Sequence, residues 1–472
     1  MTRRHLIRIL GIVLATQLAA CNVGPDYVRP SAVVTPTYKE SGEWKTATPV
    51  DQFPRGEWWR IYGDADLDRL ETDATQANQT IAIAEANYRE AKTLVDQARA
   101  GLFPAVGLGV SASRGNNTSI ATSSVRNSTS ASVDATWELD LWGHVRRAVE
   151  ASEANATASA ADLESAKLSI QAQLAIAYFT LRISDSGQRL LDRTVDANQQ
   201  SLNLTTNRYN AGVAARADVV QAEAQLKSSQ AQAVDNRATR AQFEHAIAVL
   251  SGRAPAQFSL AVANDLPVPA DVPPGVPSQL LERRPDIAAA ERRMAAANAQ
   301  IGVATAAFYP TISLSASGGA ASSDLAHLLS LSNRFWSIGA NLAQPLFDAG
   351  LRRAQRDQTI AQYDAAVANY RQTVLGGFQE VEDNLSTLAV LKDEATIQSE
   401  AVDSARHALE LVSNQYKAGI VDYLNVAAAQ TVLFNNERTL VLLRGRQWQA
   451  NVTLVKALGG GWSTAVLASA AQ

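Results

Sequence analysis

The sequence predicts a mixed α and β membrane protein whose elements occur in two similar halves. Three observations predict this fold class. An export signal opens the chain, four segments alternate between apolar and small polar residues, and two pairs of long segments contain no proline. Charged residues make up 19% and aromatic residues 6%, a composition typical of long packed helices. The net charge of −4 does not indicate a nucleic-acid partner.

The N-terminus has the parts of a signal peptide over residues 1–20. Arginines precede an apolar stretch that is too short to span a bilayer. The segment ends Leu18-Ala19-Ala20-Cys21, which resembles the lipobox of bacterial lipoproteins. The resemblance implies that Cys21, the only cysteine, becomes a lipid-carrying mature N-terminus delivered to the outer membrane. An ordinary signal peptide with a cysteine near its cleavage site is the alternative.

Four segments have the period of two that β-strands produce. Apolar residues alternate with Gly, Ser, Thr, Asp, Glu or Asn over about 106–113, 132–141, 312–317 and 336–342. They predict two β-hairpins, at about 104–141 and 310–344. A polar tract, 114–130, follows the first strand.

Counted out to the predicted hairpin limits, the strands run about 10 to 14 residues, which is long enough to cross a bilayer as tilted strands. Only closed barrels are stable there, because an open edge leaves backbone groups unpaired in lipid. The four strands of one chain cannot close. Two chains would give eight strands and a barrel filled by its own side chains, whereas three give 12 and leave room for a lumen.

Long helical hairpins are predicted at about 144–250 and 351–458, with shorter helices before the strands at about 66–101 and 285–307. The first helix of each hairpin would be roughly 95 Å long at 1.5 Å per residue. Tight reversals follow at Ala211-Gly212 and Ala418-Gly419, where glycine permits a left-handed backbone.

The two halves match at a fixed offset of 206 to 207 residues, which indicates an internal two-fold repeat. Phe103-Pro104 corresponds to Tyr309-Pro310, and the two glycine reversals correspond likewise. The predicted domains are a signal peptide 1–20, a lipidated extended segment 21–62, a first repeat 63–255, a proline-rich equatorial linker 256–284, a second repeat 285–458 and a C-terminal tail 459–472.

Several stretches together resemble TolC-like outer-membrane factors, most closely the NodT and OprM type of lipoprotein. In order they are Val23-Gly24-Pro25-Asp26-Tyr27, Trp137-Glu138-Leu139-Asp140-Leu141-Trp142-Gly143, Arg283-Arg284-Pro285-Asp286-Ile287, Ala290-Glu291-Arg292, Phe308-Tyr309-Pro310, Gln344-Pro345-Leu346-Phe347-Asp348-Ala349-Gly350 and Ala457-Leu458-Gly459-Gly460-Gly461-Trp462. They cover nearly the whole mature chain, and their order makes the resemblance specific.

The resemblance implies a homotrimer with a 12-stranded outer-membrane β-barrel, four strands per chain. The barrel would continue into a long periplasmic α-helical barrel with an equatorial domain. It also implies a passive exit duct for drugs or other small toxic compounds, in a tripartite efflux pump of the RND type. The implied partners are a periplasmic adaptor (a membrane fusion protein), an inner-membrane pump and outer-membrane lipid.

Two groups of site residues follow from the resemblance. The hairpin tips would contact the adaptor through Tyr209, Ala211, Gly212, Val213, Tyr416, Ala418, Gly419 and Ile420. The periplasmic gate would be held by Asp218, Asp422, Tyr423 and Asn425. The glycines alone would equally serve to close turns, and an exposed Asp at a helix start would equally serve as a cap.

The sequence predicts no cofactor, no metal and no enzymatic activity. Its five histidines lack metal-ligand spacing, and it carries no P-loop, dinucleotide fingerprint or nucleophile elbow. Two alternatives to the efflux duct remain. One is a duct for protein secretion on the same fold, which the lipobox disfavours, and the other is a periplasmic adaptor or structural coiled coil, which would lack the four strands.

Overall fold

The computed structural model describes residues 22–31, 35–41, 57–119, 122–263, 269, 272 and 283–461. The predicted signal peptide, Cys21, much of the linker and most of the C-terminal tail therefore lie outside the described residues. The chain forms two compact units, each built from both halves of the sequence. Their limits are Met1–Ala32, Ala86–Ala160 and Ala289–Gln372 for the first unit, and Val33–Glu85, Ala161–Ala288 and Thr373–Gln472 for the second.

The first unit contains a four-stranded antiparallel sheet in the order β1-β2-β3-β4. The strands are β1 (Ala105–Ser119), β2 (Thr122–Leu139), β3 (Thr311–Ser322) and β4 (Arg334–Ala343). Strand β2 of the first half pairs directly with β3 of the second half. Among the described residues, β1 and β4 each keep one edge without a partner strand.

One face of this sheet is apolar, as the alternation predicts. Paired residues form rows across the strands, from Leu139–Ile312–Leu342 at one end to Ala112–Thr129–Ser322 at the other. Large side chains in these rows are exposed in the single chain, with Trp336 at 80% and Leu108 at 76%. Five intervals of two residues span about 34 Å along the strands, or about 25 Å at a tilt near 45°. That height matches the apolar band of an outer-membrane barrel.

The opposite face of the sheet is polar and hydrogen-bonded across the strands. The hydroxyls of Ser111 and Ser130 lie 2.9 Å apart. Ser132 and Ser317 both donate to the Asp134 carboxylate, at 2.8 and 2.6 Å. Small polar side chains of this kind suit a water-filled interior.

The strands are longer than the sequence pattern indicates. The polar tract 114–130 is mostly strand, because β1 continues to Ser119 and β2 begins at Thr122. The apolar alternation stops near Ala112, whereas backbone pairing continues to Ser119 and Thr122. A hydropathy pattern reports only the part of a strand that faces an apolar environment. The outer limits of both predicted hairpins agree with the structure within two residues.

The described residues include seven α-helices of more than ten residues. They are α1 (Ala65–Ala77), α2 (Gln79–Ala100), α3 (His144–Asn210), α4 (Arg216–Leu250), α5 (Pro285–Ala306), α6 (Leu351–Lys417) and α7 (Tyr423–Ala457). Helices α3 and α6 both have 67 residues, and α4 and α7 both have 35. A search of the described residues finds no helix both long and apolar enough to cross a membrane.

The predicted single helix at about 66–101 is wrong, because Asn78 divides it into α1 and α2. The Asn78 side-chain oxygen accepts from the backbone N–H groups of Thr80 and Ile81, at 2.8 and 3.2 Å. Its amide nitrogen donates to the carbonyl of Leu250 at 2.8 Å. Asn78 therefore caps α2 and ties it to the end of α4.

An aromatic cluster forms part of the core of the second unit. Trp58 is fully buried and donates to Gln171 at 3.2 Å. Phe179 stacks on Trp448 with ring centroids 4.0 Å apart, and Tyr62 meets both rings edge-on. These contacts join the segment before α1 to α3 and α7.

Candidate functional site

The reversal after α3 is a left-handed helix cap. Gly212 has φ +75°, and its N–H donates to the carbonyl of Tyr209 at 2.9 Å. The N–H of Val213 donates to the carbonyl of Arg208, also at 2.9 Å. This pair of bonds is a Schellman motif, which satisfies carbonyl groups that a helix end leaves open.

The reversal after α6 has the same geometry. Gly419 has φ +76° and donates to Tyr416 at 3.0 Å, while Ile420 donates to Gln415 at 3.0 Å. The offset of 207 residues between the two glycines thus corresponds to equal local structures. In both, any residue other than glycine would be strained at this position.

The structure brings the two hairpin ends together in the second unit. A buried cluster contains Ala222 of α4 with Tyr416, Tyr423, Val426 and Ala427 of the second hairpin. Polar contacts run beside it. The hydroxyls of Thr205 and Tyr416 lie 3.3 Å apart, and Gln430 donates to Ser201 at 2.8 Å.

Arg208, which no sequence pattern singled out, connects the tips directly. Its guanidinium lies over the Tyr416 ring, 4.7 Å from the ring centroid, and donates to the carbonyl of Lys417 at 3.2 Å. A Cβ atom on Gly419 would come within 3.8 Å of the same guanidinium. The equivalent position of the second half is Gln415. This difference between otherwise matching positions is visible in the sequence and could have indicated a special role for Arg208.

The predicted adaptor-contact residues divide by exposure. Val213 and Ile420 are 65% and 72% exposed, and Tyr209 is 39% exposed. The exposed residues also include Ala211, Gly212, Ala418 and Gly419. Tyr416 differs, since only 4% of its surface is accessible and its ring meets Tyr423 edge-on at 5.8 Å. Tyr416 therefore packs inside the buried cluster at the hairpin ends and presents almost no side-chain surface to a partner.

The predicted gate residues also occupy different environments. Asp218 accepts from the N–H of Ala215 at 3.3 Å, so it caps α4. Asp422 precedes α7 without a side-chain capping bond and is exposed, as is Asn425. Tyr423 is 1% exposed, and burial raises the pKa of its hydroxyl, an effect that Ser201 partly offsets. Asp422 and Asn425 are therefore the accessible polar members of this group.

The segment that follows Cys21 is held in the first unit, beside the end of β2. The N–H of Val23 donates to the carbonyl of Trp142 at 3.2 Å, and a Cβ on Gly143 would overlap Asn22. The buried Arg147 forms an ion pair with Asp26 at 2.8 Å. These contacts fix the start of the described chain next to the strand-to-helix junction.

The described residues contain no group of three His, Cys, Asp or Glu side chains placed to hold a metal ion. The arrangement at the hairpin ends is one of packing and hydrogen bonding between helices.

Comparison with known proteins identifies the family. The family described as outer membrane efflux protein matches residues 70–253 and 276–460, and the chain belongs to it. The toluene efflux pump outer membrane protein TtgC of Pseudomonas putida is 32% identical over 457 residues, covering 95% of this chain and 94% of that protein. The family is one of outer-membrane efflux proteins rather than enzymes, as the resemblance predicted.

Solved structures agree with this assignment. The outer-membrane channel OprN matches with a TM-score of 0.87 and 30% identity, over 94% of this chain and 100% of that one. The open state of the Neisseria gonorrhoeae MtrE outer membrane channel matches with a TM-score of 0.81 and 28% identity, over 93% and 98%. The protein is therefore an outer-membrane channel for efflux.

Proposed function

We propose that three copies of this chain form the passive exit duct of a tripartite, RND-type efflux pump. The observation that carries the proposal is the four-stranded sheet, with an apolar band about 25 Å high and a free edge on β1 and β4. In lipid both edges need partners, and three sheets closed edge to edge give 12 strands around a lumen. The helical hairpins of the three copies would continue the duct through the periplasm.

The equal helix lengths of the two halves support an internal repeat, and so does the double match to the family. In a trimer the repeat would present six hairpins to the periplasm. Their tips dock to the periplasmic adaptor through Val213, Ile420 and Tyr209, which are exposed, with Tyr416 packed beneath them. Adaptor binding biases a two-state change of helix packing in which Asp422 and Asn425 border the constriction.

Lipid on Cys21 anchors the N-terminus in the outer membrane. The contacts of Val23 with Trp142 support this, because they hold the following segment three residues beyond the end of β2. A lipid on Cys21, two residues before Val23, would lie close to the inner surface of the same bilayer. Mass spectrometry of the mature protein tests this, with Cys21→Ala as the variant that should lose the lipid.

The cargo is a class of small toxic compounds that includes apolar solvents and antibiotics. The toluene pump named among the relatives supports this choice. A lumen lined by small polar side chains offers few specific contacts, so selection of the cargo lies with the inner-membrane pump.

The decisive experiment measures intracellular accumulation of dyes, antibiotics and toluene. It compares a deletion strain, its wild-type complement and complements carrying Val213→Glu with Ile420→Glu. Val234→Glu is the matched control, because Val234 is 62% exposed on the same hairpin but about 27 Å from its tip along α4. All variants are first checked for normal amounts of trimer in the outer membrane.

We expect deletion to raise accumulation, and the wild type and Val234→Glu to reverse it, while the tip variant does not. Accumulation that stays unchanged on deletion, together with loss of an exported protein from the medium, would instead assign the chain to protein secretion. A tip variant that restores efflux fully would remove the tips from the adaptor interface.

A further inference from the structure

Two arginines lie on the apolar face of the sheet, at the end remote from the helices. Arg334 of β4 shares a row with Val110, Ala131 and Ala320, and Arg114 of β1 lies opposite Asn127. Both side chains are exposed. Among the residues that the structure describes, neither guanidinium has a hydrogen-bonding or ion-pairing partner. Two unpaired cations thus lie two rows apart, on either side of the row in which the apolar band ends.

That limit is the external one if the helices are periplasmic. Helices α2, α3, α5 and α6 all join the strands at the opposite end of the sheet. The hairpin connections, after Ser119 and after Ser322, lie at the same end as the two arginines. The arginines would therefore meet the outer leaflet of the outer membrane.

The connection between β3 and β4, residues 323–333, adds apolar surface at this limit. Leu325, Leu329 and Leu331 are 71%, 77% and 79% exposed, although the segment has defined 3₁₀ turns. Its single acidic residue, Asp324, accepts from the N–H of Ala326 and contacts the His327 ring at 3.0 Å. The exposed leucines directly precede Arg334 in the chain. Together with the arginines they offer the apolar and cationic chemistry that a phosphorylated lipid requires.

We infer that Arg114, Arg334 and the leucines of residues 323–333 form a binding surface for phosphorylated lipids of the external leaflet. Guanidinium groups bind phosphate oxygens in pairs, and leucines contact acyl chains next to the headgroups. A charged residue on the lipid face is costly at the bilayer centre, and the cost falls towards the interface. Arg334 lies in the last row but one of the apolar band, and Arg114 lies one row beyond the band. The inference rests on the proposed trimeric barrel, in which β4 of one copy borders β1 of the next.

Arg126 provides a matched control. It lies on β2 opposite Gly115, one position from the pair that contains Arg114, and therefore on the polar face. It is exposed and belongs to the same strand ends. A change there removes the same charge from the same end of the barrel without touching the lipid-facing surface.

The test uses delipidated trimers of the full-length protein in detergent, titrated with diphosphorylated lipid A and followed by native mass spectrometry. Lipid A without its phosphates and inorganic phosphate are the comparison ligands. We expect Arg114→Gln with Arg334→Gln to weaken binding of diphosphorylated lipid A by at least about tenfold, and Arg126→Gln to leave it unchanged. Leu329→Ser with Leu331→Ser should weaken the binding of lipid A with and without its phosphates to the same extent.

Equal binding of the two lipids by the wild type would overturn the inference, as would an equal loss in Arg126→Gln. Full competition by millimolar inorganic phosphate would show a plain anion site and would overturn it too. These outcomes leave the proposed duct intact, since they are read on assembled trimers. A wild-type chain that forms no trimer would instead remove the basis of the proposed function.

Discussion

Arg284 is a buried cation that joins three parts of the second unit. Its guanidinium donates to both carboxylate oxygens of Asp286, at 3.0 and 2.6 Å, and to Glu380 of α6 at 2.6 Å. A further bond reaches the carbonyl of Ala457 at the end of α7. Burial lowers the pKa of Arg284, but the bonds and charges of Asp286 and Glu380 outweigh it and raise the pKa above its ordinary value.

Arg284→Ala should lower the free energy of unfolding by about 2–3 kcal/mol. Removing the guanidinium leaves the carboxylates of Asp286 and Glu380 without their cation. The destabilisation stays below that of a fully buried ion pair, because both carboxylates are partly exposed to water. Arg284→Lys should be intermediate, since lysine cannot form the paired bonds. Thermal unfolding followed by circular dichroism measures this. Arg406→Ala is the control, because the exposed ion pair of Arg406 with Glu437 contributes less than about 1 kcal/mol. Equal destabilisation by Arg406→Ala and Arg284→Ala would contradict the prediction.

Glu71 of α1 is a carboxyl group in an apolar position. It is fully buried beside Leu67, Leu70 and Ala74. Neither carboxyl oxygen has a hydrogen-bonding partner among the described residues. Burial, aided by the charge of Asp68, raises the pKa of Glu71 well above its usual value.

Stability should fall as pH rises above about 4.5, the ordinary pKa of the group, until the raised pKa is reached. In that window the unfolded chain releases a proton that the folded chain retains, so the slope is negative, at most about 1.4 kcal/mol per pH unit. Glu71→Gln should remove this contribution and melt above the wild type at pH 8, but not at pH 4. The exposed Glu400→Gln is the control. The prediction would be wrong if the melting temperatures of the wild type and Glu71→Gln differed by the same amount at pH 4 and pH 8.

At the scale of elements, the two hairpins are alike in their turns and different in their contacts. Each tip closes with the same glycine cap, yet only the first supplies an arginine to the other. Arg208 donates to the carbonyl of Lys417 and covers the buried Tyr416, so it adds a cation to the small apolar cluster and the neutral hydrogen bonds that join the hairpins. A contact of this kind stabilises one packing of the hairpins over another.

Arg208→Ala should therefore loosen the hairpin ends and make the duct leaky without its partners. We expect a several-fold rise in the entry of a glycopeptide antibiotic that is too large for porins, and a higher conductance of purified trimers in planar bilayers. Arg406→Ala, a similar loss on the exposed part of α6, should leave both unchanged. Unaltered conductance in Arg208→Ala would mean that this contact does not hold the closed packing.

The sequence predicts most elements here because their signals are local. Glycine marks both reversals, proline marks the ends of β-hairpins, and alternation marks the lipid-facing strands. What it missed depends on partners distant in the chain. Asn78 breaks a helix because its side chain can reach Leu250, and Tyr416 is buried because the first hairpin covers it. Strand pairing beyond Ala112 leaves no alternating hydropathy signal, since the side chains there are mostly polar on both faces, with Val125 the exception.

At the scale of the whole molecule, assembly must supply a partner strand for the free edges of β1 and β4. The apolar face of one chain is largely exposed, and the other face of the sheet carries a network of polar hydrogen bonds. Ser111 of β1 and Ser337 of β4 both lie on that polar face, six residues from the helical ends of their strands. In a closed barrel they belong to neighbouring copies at similar heights.

Cysteine pairs should therefore link chains across this junction. Ser111→Cys combined with Ser337→Cys, Gly339→Cys or Asn341→Cys covers the stagger that barrel closure introduces. At least one pair should give a covalent trimer on denaturing gels, and no larger species, because a ring of three has no free edge. Ser111→Cys with Ser130→Cys is the control, since those side chains face each other within one chain and should yield only monomers. Covalent dimers without trimers would mean an eight-stranded assembly, too narrow for a duct, whereas trimers would fix both the strand number and the order of chains around the lumen.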